Sequence, residues 1–233
     1  MKKIGLIGGT GPESTLMYYK QLNARIDKLT NEKEMPEIAI ESVNFRKIWS
    51  FVESGDYAKL AESFLSKIIS LQQSGAEVIT LTAVTMHIVF DELVRKTNIP
   101  LVSIPQAVCE KALAASYRKV LLLGTIFTME QDFMKSPFQQ AGIEVIIPQQ
   151  EERLLIAKRI FTELELGIVR DSTLAEFQNI IERIKNEEGA EAVILGCTEL
   201  PLLLNNDNSP LPVLDSVEIH IGKLIELAMG NDE

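Results

Sequence analysis

Short apolar runs alternate with longer amphipathic segments along the whole chain. The apolar runs predict buried β-strands at residues 4–8, 37–43, 78–81, 101–104, 120–124, 144–147, 192–196 and 213–214. The amphipathic segments predict helices at residues 13–30, 57–74, 84–97, 151–166, 173–188 and 217–229. Strands that alternate with helices in this way favour an α/β fold, in which helices cover both faces of parallel sheets.

The chain also contains a weak internal repeat. Segments match in the same order: residues 6–8 with 122–124, 78–83 with 192–197, and 98–102 with 210–214. Chance similarity between apolar strands is the alternative. The repeat predicts two similar flavodoxin-like halves, related by a pseudo-twofold duplication around one cleft. The first half is residues 1–98 plus 216–233, and the second is residues 99–215.

Ligands of parallel sheets bind beyond the carboxyl ends of the strands. In the first half, the earliest such segment is the glycine turn at residues 8–15, which contains the candidate ligand Thr10. Its spacing fails the dinucleotide fingerprint, because Pro12 and Ser14 follow the glycines. The free amides favour a carboxylate or another small anion, and a purely structural turn is an equally good interpretation.

A cysteine follows the apolar run at residues 192–196, and polar residues follow the cysteine. Cys197 opens a turn in which backbone amides and a helix dipole would stabilise a thiolate, and Thr198 and Glu199 come next. The alternative is an inert core cysteine. Cys109, in contrast, lies within a helical segment on an apolar face, which predicts a packing role.

The corresponding segment of the first half lacks a cysteine. The repeat aligns Ala83 with Cys197, between Thr82 and Thr85, whose hydroxyls are candidates for ligand contacts. His87 follows and fits a structural or a catalytic role. Further polar groups near the predicted cleft are Asn44, Arg46, Thr125, Thr128, Arg153, Lys158 and Arg159.

Composition narrows the classes of partner. The formal net charge of −10 argues against nucleic acid and anionic membranes as partners, and no apolar run is long enough to span a bilayer. The two cysteines have neither disulfide-framework nor metal-ligand spacing. A cytoplasmic protein without a bound metal is the simplest interpretation.

Taken together, the motifs resemble those of the aspartate/glutamate racemase family. They occur in the family's order at residues 8–13, 85–87, 123–125, 128–130 and 196–199. The resemblance implies a homodimeric, cofactor-independent amino-acid racemase that acts on an amino acid or a dicarboxylate. Glu199 resembles the aspartate racemase branch, and the substrate contacts would be Thr10, Thr82, Val84, Thr85, Thr125, Thr198 and Glu199.

Members of that family use one thiol on each face of the α-carbon, and here only Cys197 is a thiol. Ala83 and Val84 replace the usual cysteine (occasionally threonine) and asparagine, and Leu155 stands where related sequences place a lysine. Three hypotheses therefore stay open. They are a racemase that is impaired or altered in specificity, a single-cysteine decarboxylase or isomerase of the same superfamily, and a non-catalytic module that binds amino acids or carboxylates.

Overall fold

The structure, a computed structural model, describes residues 1–230. They form two compact units, and each unit contains a single four-stranded parallel sheet. The first unit comprises residues 1–103 and the C-terminal residues from His220 onward, and the second comprises Ile104–Ile219. Within residues 1–230, no helix has both the length and the apolar character needed to cross a bilayer.

The first sheet is built around a fully buried strand. Its strands are β1 (Ile4–Gly8), β2 (Ile38–Ser42), β3 (Val78–Leu81) and β4 (Leu101–Val102). They are hydrogen-bonded in the order β2-β1-β3-β4, and every residue of β1 and β3 is buried. Strands of continuous apolar character are expected where helices cover both faces of a sheet.

Helices follow the strands of the first sheet. They are α1 (Pro12–Leu29), α2 (Phe45–Glu53), α3 (Tyr57–Gln73) and α4 (Phe90–Lys96), with a 3₁₀ segment at Val84–Val89. Helix α1 buries Tyr18, Leu22 and Ile26 at intervals of four residues, which is the stripe an amphipathic helix presents to a core. Asp56 caps α3 by accepting a hydrogen bond from the amide of Lys59.

The second unit repeats this arrangement. Its strands are β5 (Lys119–Leu123), β6 (Glu144–Ile146), β7 (Ala192–Leu195) and β8 (Val213–Asp215), in the order β6-β5-β7-β8. Its helices are α5 (Ile104–Ala114), α6 (Ile126–Glu130), α7 (Ser136–Gln140), α8 (Gln150–Thr162) and α9 (Asp171–Glu188). Two 3₁₀ segments lie at Leu164–Leu166 and Leu200–Leu202, and α10 (Ser216–Met229) ends the described chain.

The two sheets share one topology, which confirms the predicted α/β class and the two similar halves. In each sheet the third strand pairs with the first, so Leu81 lies beside Ile7 and Leu195 lies beside Leu123. Ala83 and Cys197 each come two residues after the third strand of their own sheet. The alignment of these two positions in the sequence repeat therefore reflects equivalent places in the two units.

Several predicted helix and strand boundaries were wrong. The predicted helix at residues 84–97 is a 3₁₀ segment followed by α4, and the buried His87 ring is hydrogen-bonded to the carbonyls of Ala83 and Val84 at its start. The predicted strand at 101–104 ends at Val102, because α5 begins at Ile104. The helix predicted at 151–166 ends at Thr162.

Three short helices, α2, α6 and α7, have no counterpart in the sequence prediction. Helices α6 and α7 have five residues each and α2 has nine. Segments of this length are too short to establish a 3.6-residue hydrophobic period.

Candidate functional site

The turn between β1 and α1 depends on its glycines. Gly9 and Gly11 have positive φ angles of 81° and 146°. A Cβ atom at Gly9 would lie 2.5 Å from Ser42 Oγ and 2.7 Å from the carbonyl oxygen of Val43. Because only glycine fits there, the backbone turns sharply and leaves Thr10 partly exposed at the carboxyl end of the sheet.

Hydrogen bonds from side-chain hydroxyl groups hold this turn in place. The hydroxyl of Thr15 accepts a hydrogen bond from the amide of Gly9 at 3.0 Å, and Ser14 Oγ donates to the carbonyl of Thr82 at 2.5 Å. Thr82 is fully buried, and its own hydroxyl donates to the carbonyl of Ile7 at 3.3 Å. The Thr82 side chain thus holds β1 against the end of β3 and faces the interior of the first unit.

The segment after β3 exposes small or polar side chains at alternate positions. Ala83 has an extended backbone and is partly exposed, and so is Thr85. Val84 between them is buried. The Nδ1 atom of His87 lies 3.1 Å from the carbonyl oxygen of Ala83 and 3.2 Å from that of Val84, so this ring braces the segment from the core.

A second buried histidine, His220, lies next to the His87 ring. His220 Nδ1 is 2.7 Å from the Tyr18 hydroxyl, and its Nε2 is 3.2 Å from the carbonyl of Val102 and 3.1 Å from Thr80 Oγ1. The carbonyl only accepts, which assigns the ring proton to Nε2 and makes Tyr18 the donor to Nδ1. Burial lowers the pKa of His220 to about 3 and that of His87 to about 4, so both rings are neutral at pH 7.

The corresponding turn in the second unit positions Cys197. The Gly196 amide donates to the carbonyl of Leu123 at 2.7 Å, and a Cβ at Gly196 would lie 2.9 Å from the same oxygen. Cys197 is 9% exposed, and its Sγ donates to Glu199 Oε2 at 2.6 Å. The hydroxyl of Thr198 donates to the other oxygen, Oε1, at 2.5 Å. One carboxylate therefore holds both the thiol and the hydroxyl.

The charges around Cys197 favour its protonated form. Burial raises the pKa of the Cys197 thiol well above its ordinary value, and the negative charges of Glu199 and Glu165 raise it further. Burial and the charge of Glu199 also raise the pKa of Glu165, which lies in the 3₁₀ segment after α8. The resting residue is therefore a thiol, in contrast to the thiolate predicted from the sequence.

The remaining polar candidates of the second unit are mostly engaged in local contacts. Thr125 caps α6: its Oγ1 accepts from the amide of Thr128 at 3.2 Å and is 3.0 Å from the Thr128 hydroxyl. Arg153 NH2 lies 3.2 Å from Glu130 Oε1, and its NH1 donates to the carbonyl of Pro148 at 2.7 Å. Thr125 and Arg153 thus have structural partners already.

Arg159 is also occupied. Its guanidinium forms a two-pronged contact with Glu176 at 2.7 and 2.9 Å and donates to Glu163 at 2.6 Å. Lys158 is exposed on the same helix, and Leu155 is half-buried. No local pattern indicates that Arg159 joins α8 to α9, because Glu176 lies on a separate helix.

Other predicted positions fall outside these two turns. In the first unit, the Asn44 side chain caps α2 by accepting from the amide of Lys47, and Arg46 is exposed on the first turn of that helix. Cys109 is 1% exposed within α5, and burial raises its pKa. Among residues 1–230, no three His, Cys, Asp or Glu side chains come together in a way that would hold a metal ion.

Two residues near the candidate site were missed by the sequence interpretation. Glu165 lies in no recognisable motif and approaches Glu199 only through the fold. His220 lies 202 residues from Tyr18 along the chain, so no local pattern signals their hydrogen bond. Periodicity in the sequence places both residues in ordinary helical segments.

A turn that carries a cysteine and a glutamate, within a duplicated α/β fold, can be compared with known proteins. A family model described as Asp/Glu/Hydantoin racemase matches residues 7–224. The chain belongs to the Asp/Glu/hydantoin racemase family. This confirms the resemblance predicted from the sequence motifs, and membership of the family supports an amino-acid racemase, an isomerase, as the class of enzyme.

Racemases and a racemase homologue are similar to this chain over almost its whole length. An aspartate racemase homologue from Pyrococcus horikoshii OT3 is 42% identical, with a TM-score of 0.89 over 99% of this chain and 100% of that one. The aspartate racemase of Picrophilus torridus, at 23% identity and a TM-score of 0.71, covers 97% of this chain and 94% of its own and shares the fold. The broad specificity amino-acid racemase RacX of Bacillus subtilis (strain 168) is 23% identical over 221 residues, 91% of this chain and 92% of the relative.

Proposed function

We propose that this protein is a cofactor-independent amino-acid racemase in which the Cys197 thiol exchanges the proton on the substrate's α-carbon. The observation that supports it most directly is the 2.6 Å contact between Cys197 Sγ and the Glu199 carboxylate. A thiol hydrogen-bonded to a base can act as an acid or, after transfer of its proton, as a base. Family membership supplies the reaction class, and this pair supplies the proton-carrying groups.

The proton balance of the proposed step is simple. The Cys197 thiol transfers its proton to a Glu199 oxygen, which leaves a thiolate and a carboxylic acid. The thiolate then removes the α-carbon proton, becomes a thiol again, and leaves a carbanion that the substrate carboxylate stabilises as an enolate. The re-formed thiol exchanges its proton with the solvent, and return of a proton to the carbanion then completes the exchange. The source of that proton determines the configuration of the product. Glu199 finally gives its proton to the group that donated, which is the Cys197 thiolate or a hydroxide ion.

The family's two-thiol mechanism would assign the second proton donor to position 83, and we infer that this position bears on how often the exchange inverts the configuration. Ala83 carries no exchangeable proton, whereas the family's first-half motif usually supplies a thiol there. Within residues 1–230, the hydroxyls of Thr10 and Thr85 make no hydrogen bond to another protein group, and both side chains are partly exposed. An unactivated hydroxyl or a water molecule is a much weaker acid than a thiol, so proton return by Cys197 itself dominates and retains the configuration.

The test measures proton exchange and inversion separately. Single amino acids are incubated with the protein in deuterium oxide; mass spectrometry follows deuterium uptake, and chiral chromatography follows inversion. We expect uptake to exceed inversion, and Cys197→Ala to lower uptake by about 10²- to 10⁴-fold. Cys109→Ala is the matched control, because that cysteine is buried in α5 away from the turn. Unchanged uptake in Cys197→Ala refutes the proposal.

A complementary variant restores the missing thiol. Ala83→Cys is expected to raise the ratio of inversion to uptake severalfold, whereas Ala83→Ser, which adds a group of similar size and much weaker acidity, should change it little. A ratio that stays the same in Ala83→Cys would mean that residue 83 does not reach the substrate. Two further measurements address the alternative functions. Turnover of substituted malonates would indicate a decarboxylase. Binding of amino acids in a thermal-shift assay, without any turnover, would indicate a binding module.

The assembly and location of the protein belong to the same proposal. We propose a cytoplasmic homodimer, which is supported by free cysteines at both positions and by exposed apolar side chains, among them Leu154, Phe161 and Leu166. Sedimentation velocity over a range of concentrations measures the assembly, and a monomer at micromolar concentration would contradict it.

A further inference from the structure

A single turn of the second unit places Cys197, Thr198 and Glu199 in consecutive positions. Cys197 begins the turn, and the amide of Leu200 closes it by donating to the Cys197 carbonyl at 3.4 Å. Glu199, the third residue, has φ −90° and ψ −22°, which suits that place in a type I turn. The Leu200 side chain is fully buried, and the Glu199 carbonyl accepts from the amide of Leu202 at 3.1 Å. The backbone of Glu199 is therefore fixed, and its carboxylate moves only through the side-chain torsions.

Hydrogen bonds to both oxygens hold that carboxylate in one orientation. The Thr198 hydroxyl donates to Glu199 Oε1 at 2.5 Å, and the Cys197 thiol donates to Oε2 at 2.6 Å. Thr198 and Glu199 are both partly exposed, so packing alone does not immobilise the glutamate. A glutamate side chain has several rotatable bonds, and ordering it costs conformational entropy that contacts must offset. The Thr198 hydrogen bond is such a contact, and it keeps the carboxylate against the thiol.

The Thr198 hydroxyl has no second proton to give to a substrate. A hydroxyl carries a single donor, and its remaining hydrogen-bonding capacity is as an acceptor. While its proton is donated to Glu199 Oε1, Thr198 can accept a hydrogen bond from a ligand but cannot donate one to a ligand carboxylate. The thiol faces the other oxygen, so in the proposed reaction the proton of Cys197 passes to Oε2.

From this geometry, and resting on the proposed function, we propose that Thr198 is a positioning residue that aims the Glu199 carboxylate at the Cys197 thiol. It acts through Glu199 and not by donating to the substrate. Proton transfer depends steeply on the separation and alignment of the two groups, so a carboxylate that leaves the sulfur for part of the time slows the step. Loss of this hydrogen bond should therefore lower kcat, whereas loss of a substrate contact would chiefly raise KM.

The first test separates these two effects by deuterium uptake at the α-carbon, measured for the amino acid that the wild-type protein exchanges fastest. Thr198→Val keeps the shape of the side chain and removes the hydroxyl; we expect it to lower kcat by about tenfold and to change KM by less than about threefold. Thr198→Ser keeps the hydroxyl and should retain kcat within about threefold of the wild type. A wild-type kcat in Thr198→Val, whatever its KM, or a Thr198→Ser variant as slow as Thr198→Val, overturns the proposal.

The second test needs no substrate. The Glu199 carboxylate favours the protonated form of Cys197, so its release from the sulfur should let iodoacetamide alkylate Cys197 faster. We expect alkylation at pH 8 to accelerate by about twofold or more in Thr198→Val and to match the wild type in Thr198→Ser. An unchanged or slower rate in Thr198→Val overturns the proposal. Absence of uptake by the wild-type protein would overturn the proposed function, and alkylation would still decide whether Thr198 positions the carboxylate.

Two controls separate positioning from loss of structure. Thr162→Val removes another hydroxyl of the second unit, which donates to the carbonyl of Lys158 at 2.8 Å at the exposed end of α8; both readouts should stay unchanged, and an equal effect there overturns the proposal. Cys109, buried within α5, should stay protected from iodoacetamide in every folded variant. If Thr198→Val exposes Cys109, Thr198→Ala takes its place, since it removes the hydroxyl without a methyl group in its position, and it must give the same two changes.

Discussion

Acidification should weaken the first unit because its two histidines are buried and neutral. His87 and His220 are the only histidines of the chain, with pKa values lowered by burial to about 4 and about 3. An unfolded histidine has a pKa of about 6.5, so between pH 6.5 and these folded values the unfolded chain binds protons that the native chain does not. Stability is therefore fully present above pH 6.5 and is lost as the pH falls.

The size of this loss depends little on the precise folded pKa values. At pH 5 each unfolded histidine is protonated and each folded one is still mostly neutral, so each contributes about 2 kcal/mol of lost stability relative to pH 7. The two together weaken the first unit by roughly 4 kcal/mol, a large fraction of the stability of a typical domain. Carboxylates with lowered pKa values, such as Glu41, weaken it in the same direction.

The assay is urea unfolding followed by tryptophan fluorescence at pH 7, 6 and 5. Trp49 is the single tryptophan and lies in α2 of the first unit, so its signal reports on the unit that contains both histidines. His87→Asn removes one titrating group and keeps a donor near the Ala83 carbonyl. We expect the stability difference between the two proteins to shrink by about 2 kcal/mol from pH 7 to pH 5, because the carboxylate effects are common to both. A difference that stays constant within about 0.5 kcal/mol would refute the reasoning.

Two further predictions concern the second unit. Iodoacetamide should alkylate Cys197 slowly at pH 7, because an ordinary thiol with a pKa of 9.0 is only about 1% thiolate there, and burial and Glu199 raise the pKa of Cys197 further. Peptide mass spectrometry measures the alkylation, and Glu199→Gln should move its pH dependence to lower pH. A movement to higher pH would contradict the assigned cause. Gly196→Ala should destabilise the protein by about 1–3 kcal/mol, because its new Cβ would lie 2.9 Å from the Leu123 carbonyl oxygen. Gly222→Ala, where no neighbouring atom lies within 4 Å, is the control in the same thermal unfolding measurement and should be neutral or stabilising.

The framework of the fold follows from local sequence features. The continuous apolar runs at residues 4–8 and 78–81 coincide with β1 and β3, because a central parallel strand must be apolar on both faces. Glycines mark the turn after β1, and at Gly9 backbone crowding excludes a side chain. Short helices such as α6 lack enough residues to show a period, and the 3₁₀ segment at Val84–Val89 has a backbone that hydrophobic pattern alone does not specify.

The chemistry of the candidate site was less predictable, because it depends on distant partners. The sequence identified Cys197 and Glu199 as neighbours but not that Glu199 accepts a hydrogen bond from the thiol. It also favoured a lowered thiol pKa, whereas burial and the charge of Glu199 raise it. It also placed Arg159 among the polar groups near the predicted cleft, whereas in the fold Arg159 joins α8 to α9. The identity of a residue is local information, but its charge environment is assembled from several elements.

The two units show how one topology can acquire unequal chemistry. After the third strand, the first unit places Ala83 next to the neutral, buried His87, and the second places Cys197 against a carboxylate. The strand order is the same in both units, and the side chains at these equivalent positions differ, so the proposed proton carrier has a counterpart only in the second unit. If two-sided proton transfer is what makes exchange and inversion equally fast, exchange should be faster than inversion in this protein. The ratio of inversion to exchange is therefore the quantity that most directly tests the proposed consequence of an alanine at position 83.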